Sequence, residues 1–214
     1  MTTRTLGFDG SGIDGSWFTD VTTFARDTSW LNGALYAYTS FGIVLFAVFI
    51  LAVWWPARHQ SITVMTAVLA IPVAAIVAYI INDIIKSVVG EKRPCFAYPH
   101  AFLLEKCPSV TDYAFPSNHS VVAAAVTATV FLVSWRIGLI ALVATAVMGF
   151  SRVYVGAHYP HDVVAGLVVG VVAGLLTAVL FRRYAHPLVA KLAIGPLRPL
   201  LTADPSPRAA RDRV

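Results

Sequence analysis

Five long apolar runs decide most of what this 214-residue chain can fold into. They cover residues 34–55, 62–85, 116–135, 137–155 and 160–181. Each approaches the ~20 residues that carry an α-helix across a ~30 Å hydrocarbon layer. Backbone groups in lipid find no water, so spans of this kind close their hydrogen bonds within a helix. Composition agrees, with 57% hydrophobic and only 13% charged residues. Soluble domains carry about 25% charge, and disordered chains are biased the opposite way, so both classes are excluded. The expected fold is an all-α integral membrane protein, a compact bundle of about five transmembrane helices plus an N-terminal interfacial helix.

Flanking charge sets the topology. The formal net charge is +5, and the whole excess lies beyond Phe181. There Arg182, Arg183, Lys191, Arg198, Arg208, Arg211 and Arg213 face only Asp204 and Asp212. Positive charge gathered after the last span argues for a topogenic tail and against a nucleic-acid partner. The short turns around Arg58 and Arg136 fall on the same side as this tail, beside Trp54, Trp55 and Trp135. The positive-inside rule and the interfacial aromatic belt make that side the cytoplasm of a plasma membrane. Residues 1–33 then form an extracytoplasmic N-terminus, 34–184 the transmembrane core, and 185–214 a basic, largely disordered cytoplasmic tail. Residues 1–33 lack a basic stretch followed by a continuous apolar run, so no secretory signal is expected there. Within 17–31, Trp17, Phe18, Val21, Phe24 and Ala25 share one helical face, which suits a helix lying on the outer surface. The alternative, a sixth span, is disfavoured by Asp20, Arg26 and Asp27.

Ionisable residues inside a membrane are expensive and mark function by default. Here they gather at the outward ends of the spans. The second run closes on Asn82, Asp83 and Lys86, and Arg93-Pro94 follows. The third opens Pro116-Ser117-Asn118-His119, the fourth closes on Ser151-Arg152, and His158 and Asp162 flank the start of the fifth. Lys86, Arg93 and Arg152 supply fixed cations, two of them guanidinium forks suited to phosphate oxygens. Ser117 reads as a helix N-cap, and free N–H groups at such a terminus form an anion site. Pro160 keeps Tyr159 out of a helix, which places His158 on a loop and Asp162 in the first helical turn. A carboxylate there can hold one imidazole nitrogen and aim the other at phosphorus. Two imidazoles beside a cation cradle fit phosphoryl transfer by a nucleophile and a separate general acid.

These residues resemble the type 2 phosphatidic acid phosphatase superfamily. Its three-part signature is Lys-x6-Arg-Pro, Pro-Ser-Gly-His and Ser-Arg-x5-His-x3-Asp. Here it reads Lys86 to Arg93-Pro94, then Pro116-Ser117-Asn118-His119, then Ser151-Arg152 to His158 and Asp162. Ten specified positions in this order would arise by chance on the order of 10⁻⁷ for average composition. The resemblance implies that His158 is a nucleophile forming a phosphohistidine, with Asp162 orienting it. It implies that His119 protonates the leaving group and later activates water, while Lys86, Arg93, Ser117 and Arg152 hold the phosphate. No metal or other cofactor is implied. Asn118 stands where glycine is usual; its N–H still serves phosphate, while its side chain crowds or extends the pocket.

The short outer loop and surface N-terminal helix resemble bacterial undecaprenyl-diphosphate phosphatases of this superfamily. They imply a membrane lipid-phosphate substrate and a place in recycling the carrier of cell-wall precursors. A phosphatase of phosphatidic acid, phosphatidylglycerol phosphate or another prenyl phosphate is the nearest enzymatic alternative. A transporter or binding protein for lipid phosphates is the alternative of another class, kept open by Asn82 and Asp83 within a span. The vanadium haloperoxidases share the signature but are soluble, which five spans disfavour.

Fewer features stand outside the signature. Asp83, one turn before Lys86, is expected to partner that lysine. Glu91 and Lys92 are expected at the loop surface, and His161 beside the site or exposed. Pro72 is expected to kink the second span. Cys95 and Cys107 both fall on the outward loop, where a disulfide is permitted and would contribute ~3 kcal/mol by closing a short loop.

Overall fold

The computed structural model describes residues 9–203, and among them all regular structure is helical. In chain order the helices are α1 (Ser11–Asp27), α2 (Ser29–Phe41), α3 (Ile43–Ala57), α4 (Ile62–Val89), α5 (Pro94–Ala97), α6 (Asn118–Phe131), α7 (Trp135–Tyr154), α8 (Pro160–Leu192) and α9 (Arg198–Leu201). Three stretches, Ile62–Ala97, Trp135–Tyr154 and Pro160–Leu192, contain helices long and apolar enough to cross a membrane. The pair α2–α3, bent by 59°, makes a fourth if counted as one span. The chain is therefore an all-α, multi-pass membrane protein.

Local sequence explains where the long helices begin and end. Ser61 has extended backbone before α4, and its side chain accepts from the Val64 N–H at 3.4 Å. At the other end Gly90 takes φ +65°, a left-handed conformation that glycine adopts without penalty, and its N–H bonds the Lys86 carbonyl. That stop leaves Lys86 in the last turn. Ser134 caps α7 in the same way as Ser61 caps α4. Pro160 opens α8 at a position that needs no N–H, and Asp162 reaches back to the Tyr159 N–H at 2.8 Å.

Helix α6 lies at the centre, packed by α4, α7 and α8. Ser120, Val121, Ala123, Ala124, Ala125, Val126, Thr127, Thr129 and Val130 are all buried, and a helix apolar all round belongs in a core. Its 14 residues span about 21 Å at 1.5 Å per residue. Against α7 it runs antiparallel, pinned by Thr127 and Thr145, whose hydroxyls lie 2.7 Å apart. Against α8 it runs parallel, through Gly166, Gly170 and Gly174. A Cβ on Gly166 would lie 2.8 Å from the Ser117 carbonyl oxygen, and one on Gly174 3.0 Å from the Ala125 Cα. Small residues at this spacing let the two backbones meet, as in other helix pairs within lipid. Phe46, Phe49 and Val53 of α3 pack with Met65, Val68 and Ile71 of α4 to close the rest of the core.

The structure corrects several sequence-based boundaries. The first expected span, 34–55, is two helices broken at Gly42, where hydropathy gives no signal. The third, 116–135, shortens to Asn118–Phe131. The fifth does not stop at 181, since α8 continues through Arg182, Arg183 and Pro187 to Leu192. The beginning of the expected disordered tail is thus helix, and α9 beyond it is tied down: the Trp54 indole donates to the Leu200 carbonyl at 3.0 Å and the Ala203 N–H to the Arg58 carbonyl at 2.7 Å. The rest of that expectation, 204–214, lies outside the described residues. Pro72 sits inside an uninterrupted α4. Helix α1 begins earlier than 17 and buries Phe18, Thr22 and Ala25, while Trp17 and Phe24 are exposed.

Candidate active site

The last turns of α4 and α7 and the first turns of α6 and α8 meet at one end of the bundle. Two polar stitches hold them. The buried Asn82 amide of α4 donates to the Pro116 carbonyl at 3.1 Å and to Asn118 Oδ1 at 2.6 Å. The Ser117 N–H donates to the Asp162 carbonyl at 3.1 Å, which joins the start of α6 to the start of α8. Asn82 therefore pins the segment ahead of α6, a role that explains an amide inside a span without any transport function.

His158 stands on the α7–α8 loop, 2% exposed. Its Nδ1 lies 3.3 Å from Asp162 Oδ2, and its Nε2 lies 3.2 Å from Arg93 Nη1. Arginine can only donate, so the network assigns a lone pair to Nε2 and the proton to Nδ1, which donates to Asp162. The nitrogen that keeps its lone pair therefore points toward the Arg93 guanidinium. Burial holds the His158 imidazole well below its usual pKa, and the positive charges of Arg93, Arg152 and Lys86 press the same way. The ring is neutral near pH 7, the state a nucleophile requires.

Three cations surround it, each held by a different device. Lys86 Nζ donates to the Tyr113 carbonyl at 2.9 Å. Arg93 donates to the carbonyls of Asp112 and Ala157 and pairs with Asp112 Oδ1 at 3.0 Å. Arg152 spans two helices and the loop: Nη1 donates to Thr39 Oγ1 of α2 at 2.7 Å, and the guanidinium grips Glu105 at 2.9 and 3.2 Å. Both carboxylates belong to the 98–115 loop, whose beginning is tethered by a disulfide between Cys95 and Cys107, with Cα atoms 5.8 Å apart. The cavity between Arg93, Glu105 and Ala157 holds only about 10 Å³, so the loop packs tightly against Arg93 and the turn between α7 and α8.

Ser117 occupies the cap position of α6 with extended backbone, yet its hydroxyl caps nothing. Its buried Oγ has no hydrogen-bond partner among the described residues, which leaves it for a ligand. His119, in the first turn of α6, is half-buried and feels the charges of Arg152, Glu105, Arg93 and Lys86. The structure thus brings together Lys86, Arg93, Ser117, Asn118, His119, Arg152, His158 and Asp162.

Other residues differ from expectation. Asp83 is exposed, and Lys86 bonds the Tyr113 carbonyl, so the expected Asp83–Lys86 partnership is not formed. Glu91, expected on the loop surface, is completely buried and meets His161 Nε2 at 3.0 Å, whereas Lys92 is exposed. Thr39, Glu105 and Asp112 carried no local signal, because each reaches its arginine only through the tertiary fold. Glu91, His161 and Asp162 present ligand atoms within 4.8 Å of one another, a grouping that could hold a metal ion. Both His161 nitrogens, however, are already at hydrogen-bond distance from carboxylates: Nδ1 from Asp14 and Nε2 from Glu91.

Residues 67–185 match the PAP2 superfamily, and this stretch contains every candidate site residue. The chain belongs to the PAP2 superfamily. With that membership it is a lipid phosphatase. The undecaprenyl-diphosphatase BcrC of Bacillus subtilis is 32% identical over 152 residues, covering 71% of this chain and 76% of that protein. An undecaprenyl-diphosphatase of Sulfolobus acidocaldarius is 34% identical over 46% of this chain and 47% of its own length. A lipid A 1-phosphatase of Rhizobium johnstonii is 36% identical over 49% of this chain and 43% of its own length. No solved structure matches this PAP2 chain at a significant level.

Proposed function

We propose that this PAP2 protein hydrolyses a polyprenyl diphosphate of the undecaprenyl type at the extracytoplasmic face of the plasma membrane. The reaction passes through a phosphohistidine on His158 and returns the lipid carrier for cell-wall synthesis. The observation that carries this reading is the polarity of His158, with Nδ1 on Asp162 and Nε2 turned toward Arg93. Simple binding of a lipid phosphate would not need an oriented, neutral imidazole. The likeness to two proteins named undecaprenyl-diphosphatase supports the choice of lipid.

The chemistry follows from the residues. Lys86, Arg93, Arg152 and the Ser117 hydroxyl bind the terminal phosphate, with the N-terminus of α6 behind them. His158 Nε2 attacks phosphorus as the bond to the bridging oxygen breaks, and His119 gives that oxygen its proton. The phosphorylated imidazole now carries positive charge, which Asp162 stabilises through Nδ1–H. Water then gives a proton to His119 and attacks phosphorus. The P–N bond breaks, its electron pair returns to Nε2, and inorganic phosphate leaves. No step requires a metal.

Purified protein is tested for phosphate release from undecaprenyl diphosphate, phosphatidylglycerol phosphate and phosphatidic acid, with EDTA present throughout. The expected kcat/KM for the diphosphate exceeds the others by about tenfold or more. A faster monoester would move the substrate to that lipid, and loss of activity on chelation would overturn metal independence.

The Glu105 carboxylate on Arg152 competes with a substrate phosphate for a guanidinium of which only Nε is without a partner among the described residues. Glu105→Gln removes the competitor, so inhibition by inorganic phosphate is expected to strengthen about tenfold, the effect of one charge-assisted hydrogen bond. An unchanged or weaker inhibition constant would mean that Glu105 serves only to hold the arginine.

A further inference from the structure

Asp162 is completely buried, and its two oxygens fare differently. Oδ2 accepts from the Tyr159 N–H at 2.8 Å and faces His158 Nδ1 at 3.3 Å. Oδ1 is buried with no hydrogen-bond partner among the described residues. An ionised oxygen in that position is costly unless a positive charge stands close. The group facing it is His161, whose Nε2 lies 3.6 Å away.

His161 is held on every side. Its Nδ1 lies 2.7 Å from Asp14 Oδ1, and its Nε2 lies 3.0 and 3.3 Å from the two oxygens of Glu91. Each ring nitrogen meets a carboxylate, so each carries a proton and the ring is an imidazolium. It stacks between Tyr159, at 5.4 Å between centroids, and Phe115, at 5.9 Å. Asp14 reaches it because α1 departs from helical geometry at that residue (φ −145°, ψ 27°). The other Asp14 oxygen accepts the His161 backbone N–H at 2.6 Å, which caps α8 from a separate helix. The chain at Gly10 closes the cluster so tightly that a Cβ there would run into Glu91 and His161.

We propose that His161, clamped by Asp14 and Glu91, is a positioning residue that compensates the buried charge of Asp162 and so keeps the His158–Asp162 pair ready for phosphoryl transfer. The proposal rests on the function given above and adds to it. His161 and Glu91 fall at unspecified positions within the three-part signature. Asp14 lies outside the matched region altogether. Helix α1 thereby becomes part of the working site, and an apolar surface anchor alone would not explain its kink. Because the imidazolium touches Asp162 and not the phosphate cradle, its loss should slow the chemical step without weakening substrate binding.

The test uses the full-length protein with His161→Gln, Asp14→Asn and the double variant. Turnover of undecaprenyl diphosphate is measured together with Tm and with binding of orthovanadate, a phosphate-like anion, by calorimetry. His161→Gln is expected to lower kcat about 50-fold, with KM and vanadate affinity within about twofold of wild type. Asp14→Asn should lower kcat about tenfold alone and cause almost no further loss in the His161→Gln background, since both act through one group. Additive losses, a kcat that merely follows a falling Tm, or a rise in KM equal to the fall in kcat would each overturn the proposal. So would a kcat that requires added Zn²⁺ or Mn²⁺, which would give the cluster to a metal. If the wild-type protein binds vanadate but turns over none of the lipid phosphates, the functional reading fails instead, and the two failures are distinguishable.

Discussion

Replacing His158 with alanine is expected to abolish phosphate release, by about 10⁴-fold or more, while leaving the protein folded. The size follows from what the residue does. No other described group presents a lone pair toward Arg93 with a carboxylate behind it. On the proposed mechanism the positive charge formed in the first step is matched to Asp162 at 3.3 Å from Nδ1, a match that water in place of the imidazole would lack. The same residue governs the acid side of the pH profile. Burial, reinforced by the neighbouring cations, lowers its pKa below the usual value. A free histidine, with a pKa of about 6.5, is largely protonated by about pH 5.5. His158 stays neutral further into acid than a free imidazole does, so its contribution to kcat/KM should fall at a lower pH than an unperturbed histidine would give. A plateau ending at or above about pH 7, in a profile that His119→Ala leaves unmoved, would count against this assignment.

His119→Ala is expected to cost about 10³-fold in turnover, with a signature that His158→Ala cannot produce. In a diphosphate the leaving group is itself a phosphate, a weak base that departs with little protonic help. The second step, in which water attacks the phosphohistidine, has no such relief and depends on a base. With radiolabelled substrate, the His119→Ala protein should therefore accumulate label that is stable to alkali and released by acid. The His158→Ala protein should carry none. With a monoester such as phosphatidic acid, whose leaving group is an alkoxide, the first step stalls too and label should be scarce. Equal labelling from the two substrates would remove His119 from the role of acid.

Much of this site was legible because its parts are local. Lys86 and Arg93, and the Pro116–His119 start, each lie within one helix end and its adjoining loop, while Arg152, His158 and Asp162 fall on one helix end, its loop and the next helix's first turn. Pro160 alone sufficed to separate His158 from Asp162 into loop and helix. What escaped depends on contacts distant in sequence. Thr39 reaches Arg152 across 113 positions, and Asp14 reaches His161 across 147. Glu91 sits in a short loop rich in charge, which ordinarily means solvent, yet His161 of α8 and the chain at Gly10 close over it. The bend at Gly42 falls inside a continuously apolar run, so hydropathy could not divide α2 from α3. Helix α8 outruns its apolar stretch because charged residues at a membrane surface end the span without ending the helix.

The glycines at 166, 170 and 174 reach beyond packing. Between two helices immersed in hydrocarbon, water exclusion supplies no force to press them together. The separation of His119 on α6 from Asp162 on α8 is therefore set by van der Waals contact of bare backbones. A side chain added at Gly166 or Gly174 would have to wedge the two backbones apart, misaligning the site with every helix still intact.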